Sequence, residues 1–184
     1  MARRFGASIE WLPFDLHPEY PPEGIPRSDL TARYGEGHSD NVRRMVEASG
    51  YTYNPPPEVV PNSMKALEVT ELARDLGLHE TVHDRLMHAY WSEAKNIGDE
   101  PTLLDLAERT GVDRAAAVEA LADGRFRQRI AAATRDAHSL GINAIPSFVL
   151  DNRLLLVGAY PHEVFERAFA QLDESGDDSD EENG

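Results

Sequence analysis

Apolar and polar positions along this chain repeat in two periods, one near two residues and one near 3.6. Ser8 to Phe14, SIEWLPF, is rich in β-branched and aromatic residues and predicts a strand, with Ile9 and Trp11 alternating onto a core face. The proline-rich DLHPEYPPEGIPR that follows predicts a long ordered loop. Tyr34 to Gly50 reads as a polar helix whose apolar stripe is thin: Val42, Met45 and Val46. YTYNPPPEVVP is a second breaker. From Asn62 to Leu140 the pattern is helical almost throughout. Met64, Leu67, Val69, Leu72 and Leu76 mark one helix, capped by Asn62 or Ser63 and stopped at Gly77. Val82, Leu86, Ala89 and Tyr90 mark the next. Asp99 caps a third, with Leu103, Leu106 and Ala107 inward and Gly111 at its end. Asp113 opens a fourth through Val118 and Leu121, closed by Gly124. Phe126, Ile130, Ala133, Ala137 and Leu140 carry a fifth, ended at Gly141. Ser147 to Leu150 and Leu154 to Val157 flank Asp151-Asn152-Arg153 and predict a β-hairpin. A last helix has Val164, Phe165, Ala168 and Leu172 inward.

Composition changes this picture in three places. The formal charge of −15 argues against nonspecific nucleic-acid binding and against docking on an anionic membrane. Part of that excess sits in DESGDDSDEENG, so Asp173 to Gly184 is expected to be a disordered, solvating tail. No apolar run reaches the length of a membrane span and MARRFGASIEWLPF has no signal-peptide core, so the expected compartment is the cytoplasm. The chain contains no cysteine, which removes disulfides, thiol nucleophiles and zinc-thiolate sites from its own residues.

The order is strand, helical block, hairpin, helix. One strand with a distant hairpin makes a poor sheet, because about three strands are needed for independent stability. The layout looks like the back half of a thioredoxin-type α/β fold interrupted by a helical insertion. Four segments make the resemblance specific: IEWLPFDLHPEYPPEG, NSMKALEVTELARDLG, LMHAYWSEAKNIGDEPTLLDLAERTGVD and AHSLGINAIPSFVLDNRLLLVGAYPHEVFERAF. In sequence and order they resemble DsbA-like proteins of the FrnE and 2-hydroxychromene-2-carboxylate isomerase type, over nearly all of Ala7 to Leu172. The resemblance implies a thioredoxin-like fold spanning residues 5–172, with a helical insertion at about 62–140 and the hairpin and helix at 145–172. It also implies a substrate-binding role for Ile145 and Pro146, the proline being cis and facing the active site. The expected partner is a thiol or disulfide substrate. No cofactor is expected, except that glutathione would serve the isomerase branch.

Members of that family carry a Cys-x-x-Cys or Ser-containing site on a helix N-terminus, where the helix stabilises a thiolate. No match to that segment is present, so the fold is expected to be N-terminally incomplete, without the catalytic residue and without activity of its own. A truncated reading of the gene and a naturally short protein are both open. A noncatalytic binding module is the rival of another class. An uncovered sheet edge is expected to favour oligomers, and a stable monomer would argue for the naturally short form.

HETVH, His79 to His83, matches the H-E-x-x-H pattern of zinc hydrolases, in which two histidines one turn apart bind the metal and the glutamate acts as base. It falls at the start of its helix, and no third ligand follows it at the metzincin spacing. Two partly exposed histidines on a helix edge are the expectation, with no metal. GEG at Gly35 to Gly37 is too short for a phosphate loop. Ser147 has no evident relay partner, and Tyr90 with Trp91 reads as core packing.

Overall fold

Helix ends fall where local capping chemistry puts them. Asp99 takes the N-cap of one helix, its carboxylate accepting from Thr102 N at 3.1 Å and from Thr102 Oγ1 at 2.6 Å. Asp113 caps the next by accepting from Ala116 N at 2.8 Å. The computed structural model describes residues 4–35, 37–48, 50–54 and 57–177. In chain order these form β1 (Ile25–Pro26), α1 (Arg27–Tyr34), α2 (Gly37–Ala48), β2 (Val59–Val60), α3 (Met64–Asp75), α4 (His79–Ser92), α5 (Glu100–Glu108) and α6 (Arg114–Asp123). They continue with α7 (Arg127–Ser139), β3 (Ser147–Leu150), β4 (Leu154–Val157) and α8 (His162–Asp177). The chain is α/β, and among these residues no helix is long and apolar enough to cross a membrane. It divides into two compact units, Pro13–Thr134 and the joined segments Met1–Leu12 and Arg135–Gly184.

The Pro13–Thr134 unit has a sealed core. α3 packs against α4, α5 and α6, and the fully buried Val69, Val82, Leu103, Leu106 and Ile130 come from α3, α4, α5 and α7. α6 turns Ala117, Ala120 and Leu121 inward and leaves Val118 exposed, contrary to the apolar pattern. Leu76, expected inward, lies at the C-cap of α3 and is exposed. Two fully buried carboxylates, Glu68 and Glu71, take places on α3 that periodicity reserves for apolar residues. Each has an arginine from α7. Arg127 Nε donates to Glu68 Oε1 at 3.1 Å, and Arg129 Nη1 donates to Glu71 Oε2 at 3.3 Å.

β1 and β2 pair antiparallel, Ile25 with Val60 and Pro26 with Val59. Gly24 makes the approach possible. Its φ is +81°, and a Cβ there would lie 2.3 Å from the Val60 carbonyl oxygen. Arg27 secures the pair: its N–H donates to Glu58 O at 2.7 Å, its Nε to Pro57 O at 2.7 Å and its Nη2 to Tyr90 Oη at 3.0 Å. The polar helix expected over Tyr34 to Gly50 is α2, starting at Gly37, and a separate helix that was not expected, α1, precedes it and ends at Gly35.

The second unit departs furthest from the pattern. Residues 8–14 form no strand; Ile9 is 66% and Trp11 45% exposed, so neither sits in a core. A strand needs a partner backbone, and no described residue offers one. α8 extends to Asp177, so the first residues of the expected disordered tail are helical; residues 178–184 lie outside the described part. Phe5 stacks on Phe169 with ring centroids 4.6 Å apart, and Arg4 pairs with Glu166.

Candidate functional site

The residues singled out by the sequence, Ile145 and Pro146, lie between the end of α7 and β3. α7 closes with Ile142 N donating back to Ala137 O at 3.0 Å, which buries Ile142. His138 Nδ1 donates to Asn143 Oδ1 at 2.9 Å, and Asn143 Nδ2 donates to Gly141 O at 3.1 Å, fixing the turn. Ser147 Oγ donates to Ala144 O at 2.7 Å across the Ile145–Pro146 step, whose peptide bond is cis. The Pro146 carbonyl accepts from Gly158 N at 2.8 Å, extending the β3–β4 ladder by one rung. Proline has no N–H to leave unpaired, so the end of a ladder suits it.

The ladder pairs Ser147 with Val157, Phe148 with Leu156, Val149 with Leu155 and Leu150 with Leu154. Antiparallel bonds alternate along a strand. The Pro146–Gly158 rung therefore turns the backbone groups of Phe148 and Leu150 towards β4. Those of Ser147 and Val149 point to the other edge, where no described backbone group meets them. The side chains alternate likewise. Phe148 packs edge-on against Phe165 of α8, centroids 4.9 Å apart, while Val149, Leu155 and Val157 stand on the opposite, exposed face. Ile145 is 55% exposed. This arrangement offers apolar contact and open backbone donors and acceptors. It can align an extended substrate but holds no nucleophile: the Ser147 hydroxyl is spent on Ala144, and the chain has no cysteine.

HETVH takes another form from the one its pattern suggests. His79 opens α4 and His83 lies one turn on, with the rings 5.9 Å apart and inclined by 15°. The Nε2 of His79 is 3.1 Å from Arg74 Nη2. A guanidinium only donates, so that nitrogen accepts and the ring is neutral. The lone pair a metal would need is spent, and Glu80 is exposed. Burial pushes the His79 imidazolium pKa below its ordinary value, and the Arg74 charge and His83 push it further; burial alone does the same to His83. Among the described residues no three His, Asp or Glu side chains gather to hold a metal.

Of the remaining candidates, Gly35 ends α1 and Gly37 begins α2, so a helix rather than a strand leads directly into them. Tyr90 and Trp91 meet edge-on at 4.8 Å, and the Tyr90 hydroxyl accepts from Arg27. Sequence reasoning missed Glu68, Glu71 and Arg74. A charged residue inside an apolar stripe was the available signal.

The model of the DSBA-like thioredoxin domain matches residues 1–170. The uncharacterized protein YwbO of Bacillus subtilis is 29% identical over 164 residues, covering 88% of this chain and 80% of that protein. Among solved structures, a probable DsbA oxidoreductase from Streptomyces coelicolor, SCO1869, superposes with a TM-score of 0.84 at 27% identity. That match covers 92% of this chain and 76% of the other. A 2-hydroxychromene-2-carboxylate isomerase superposes with a TM-score of 0.70 at 20% identity, covering 96% and 87%, and shares the fold. With its α/β architecture and a family match over nearly its whole length, this chain belongs to the DsbA-like thioredoxin domain family.

Proposed function

We propose that this chain is the substrate-positioning body of a DsbA-type thiol–disulfide oxidoreductase. In this reading the Ile145–Pro146 turn and the open edge of β3 align a thiol or a disulfide-bearing peptide. The observation that carries it is the exposed Ile145 beside the unspent backbone groups of Ser147 and Val149. An extended peptide can add to such an edge through its main chain, with apolar side chains resting on Val149 and Val157. In thiol–disulfide exchange a thiolate attacks one disulfide sulfur and the other leaves as thiolate. The attacking sulfur would come from a cysteine outside the present sequence, which has none. This chain supplies alignment.

Titrating the ¹⁵N-labelled chain with glutathione and, separately, with a short disulfide-bonded peptide tests the reading. The largest amide shifts are expected at Ser147, Phe148 and Val149, with Ile145→Asp weakening binding about fivefold, the equivalent of roughly 1 kcal/mol of lost apolar contact. Shifts confined to other elements, or none with either ligand, would overturn it. A response to glutathione alone would favour the isomerase branch, with the thiol held as cosubstrate.

A further inference from the structure

We propose that the turn between α3 and α4 is an acid-sensitive joint, closed by neutral His79 resting on Arg74 and opened when that ring takes a proton. The joint is short. Gly77, at φ +72°, lets Leu78 N reach back to Ala73 O at 2.7 Å, and His79 is the first residue of α4. His79 Nε2 accepts from Arg74 Nη2 at 3.1 Å. Arg74 is not free to withdraw, because its Nε donates to both Glu71 oxygens, at 3.1 and 3.2 Å, and Glu71 is only 1% exposed. Arg129 holds that same carboxylate at 3.3 Å and chelates Asp75 at 2.8 and 3.3 Å, so the anchor spans α3 and α7.

A protonated His79 has no acceptor left for Arg74. It would bring an N–H against a guanidinium N–H, next to a second imidazole and at the N-terminus of α4, where the helix dipole is positive. The charged groups acting on His79 are Arg74 and Glu71 from α3 and His83 from its own helix; Asp84 acts on His83. Glu71, the only anion among those acting on His79, is already shared by two arginines. Burial lowers the pKa of both histidines, and at His79 the Arg74 charge and His83 lower it further. The sign is fixed by linkage. Well above pH 6.5 neither the open nor the closed joint binds a proton at His79. Below it the open joint takes up a proton that the closed one resists, so the closed joint loses stability as pH falls. Each unit by which the pKa lies below 6.5 is a tenfold preference of the closed joint for the neutral ring.

The test follows histidine ring and backbone signals of the full chain by NMR from pH 8 to pH 5. His79 is expected to titrate below 6.5, and the amides of residues 77–82 to shift with the same midpoint. Arg74→Gln keeps an amide donor to His79 and removes the charge, so it should raise that midpoint. His79→Gln should abolish the shared amide transition, which keeps the proposal testable if the Arg74 variant fails to fold. A His79 midpoint at or above 6.5, amides that ignore its titration, or an unchanged transition in His79→Gln would each overturn the proposal.

Discussion

Glu68 illustrates how one residue can hold against the apparent pattern. Its side chain is 0% exposed, with one oxygen on Arg127 and the other without a hydrogen-bond partner among the described residues. Burial raises its carboxyl pKa, while Arg127 pulls the other way. An interior carboxylate depends on the cation it keeps, since removing one partner strands the other. Arg127 is itself largely exposed, which screens the pair and lowers the loss. Arg127→Ala should therefore cost about 2 kcal/mol, read by urea unfolding at neutral pH. Combining it with Glu68→Gln should recover much of that loss, because no unpaired charge then remains buried at position 68. A charge inside an apolar stripe marked the position, but its partner was not legible in the sequence. A glutamate in an α3 stripe looks like a surface residue until an arginine 59 positions later is folded against it.

Helices were legible where their ends are written locally, and strands only where both partners are contiguous, because a strand's signal belongs partly to its neighbour. Asp99 and Asp113 cap the helices their spacing predicts, within three residues of the N–H groups they bind. Asp99→Ala should lower stability by about 1 kcal/mol, seen as a lower thermal midpoint. Ser8 to Phe14 has strand composition and forms none. Ile25–Pro26, with a proline in a two-residue ladder, has no such composition and pairs with Val59–Val60. The hairpin was readable because both strands and their turn are contiguous. Asp151 and Asn152 adopt φ of 51° and 53°, as turn-forming residues can. Ile145 and Pro146 stand at the head of that hairpin, so their place was legible as well. The open backbone edge beside them was not.

At the scale of the whole molecule the two units differ in how they treat apolar surface. The Pro13–Thr134 unit gathers most of it into one buried core, though Leu76 and Val118 stay exposed. In the other, Ile142 and Ala168 are the only buried apolar residues among those described, while Leu12, Leu140, Ile145, Val149 and Tyr160 are exposed. A two-stranded hairpin with an apolar outer face is marginal alone. Open edges invite another strand. The chain is expected to self-associate with concentration, measured by sedimentation velocity, and Val149→Lys should shift it towards monomer. Unchanged sedimentation at all concentrations would show that the net charge of −15 suffices to keep copies apart.

The Arg27 clasp has a thermodynamic side as well. By joining Arg27 to Glu58 and Pro57 it closes a loop that contains both α1 and α2. Bringing together the ends of a flexible loop of roughly thirty residues costs about 3 kcal/mol of chain entropy. A ladder of two residues, one of them proline, offsets little of that. The mouth of the loop is thus held mainly by one residue, through its backbone N–H and its guanidinium, and α1 and α2 share its fate: while it holds, their search for each other is confined to a short tether.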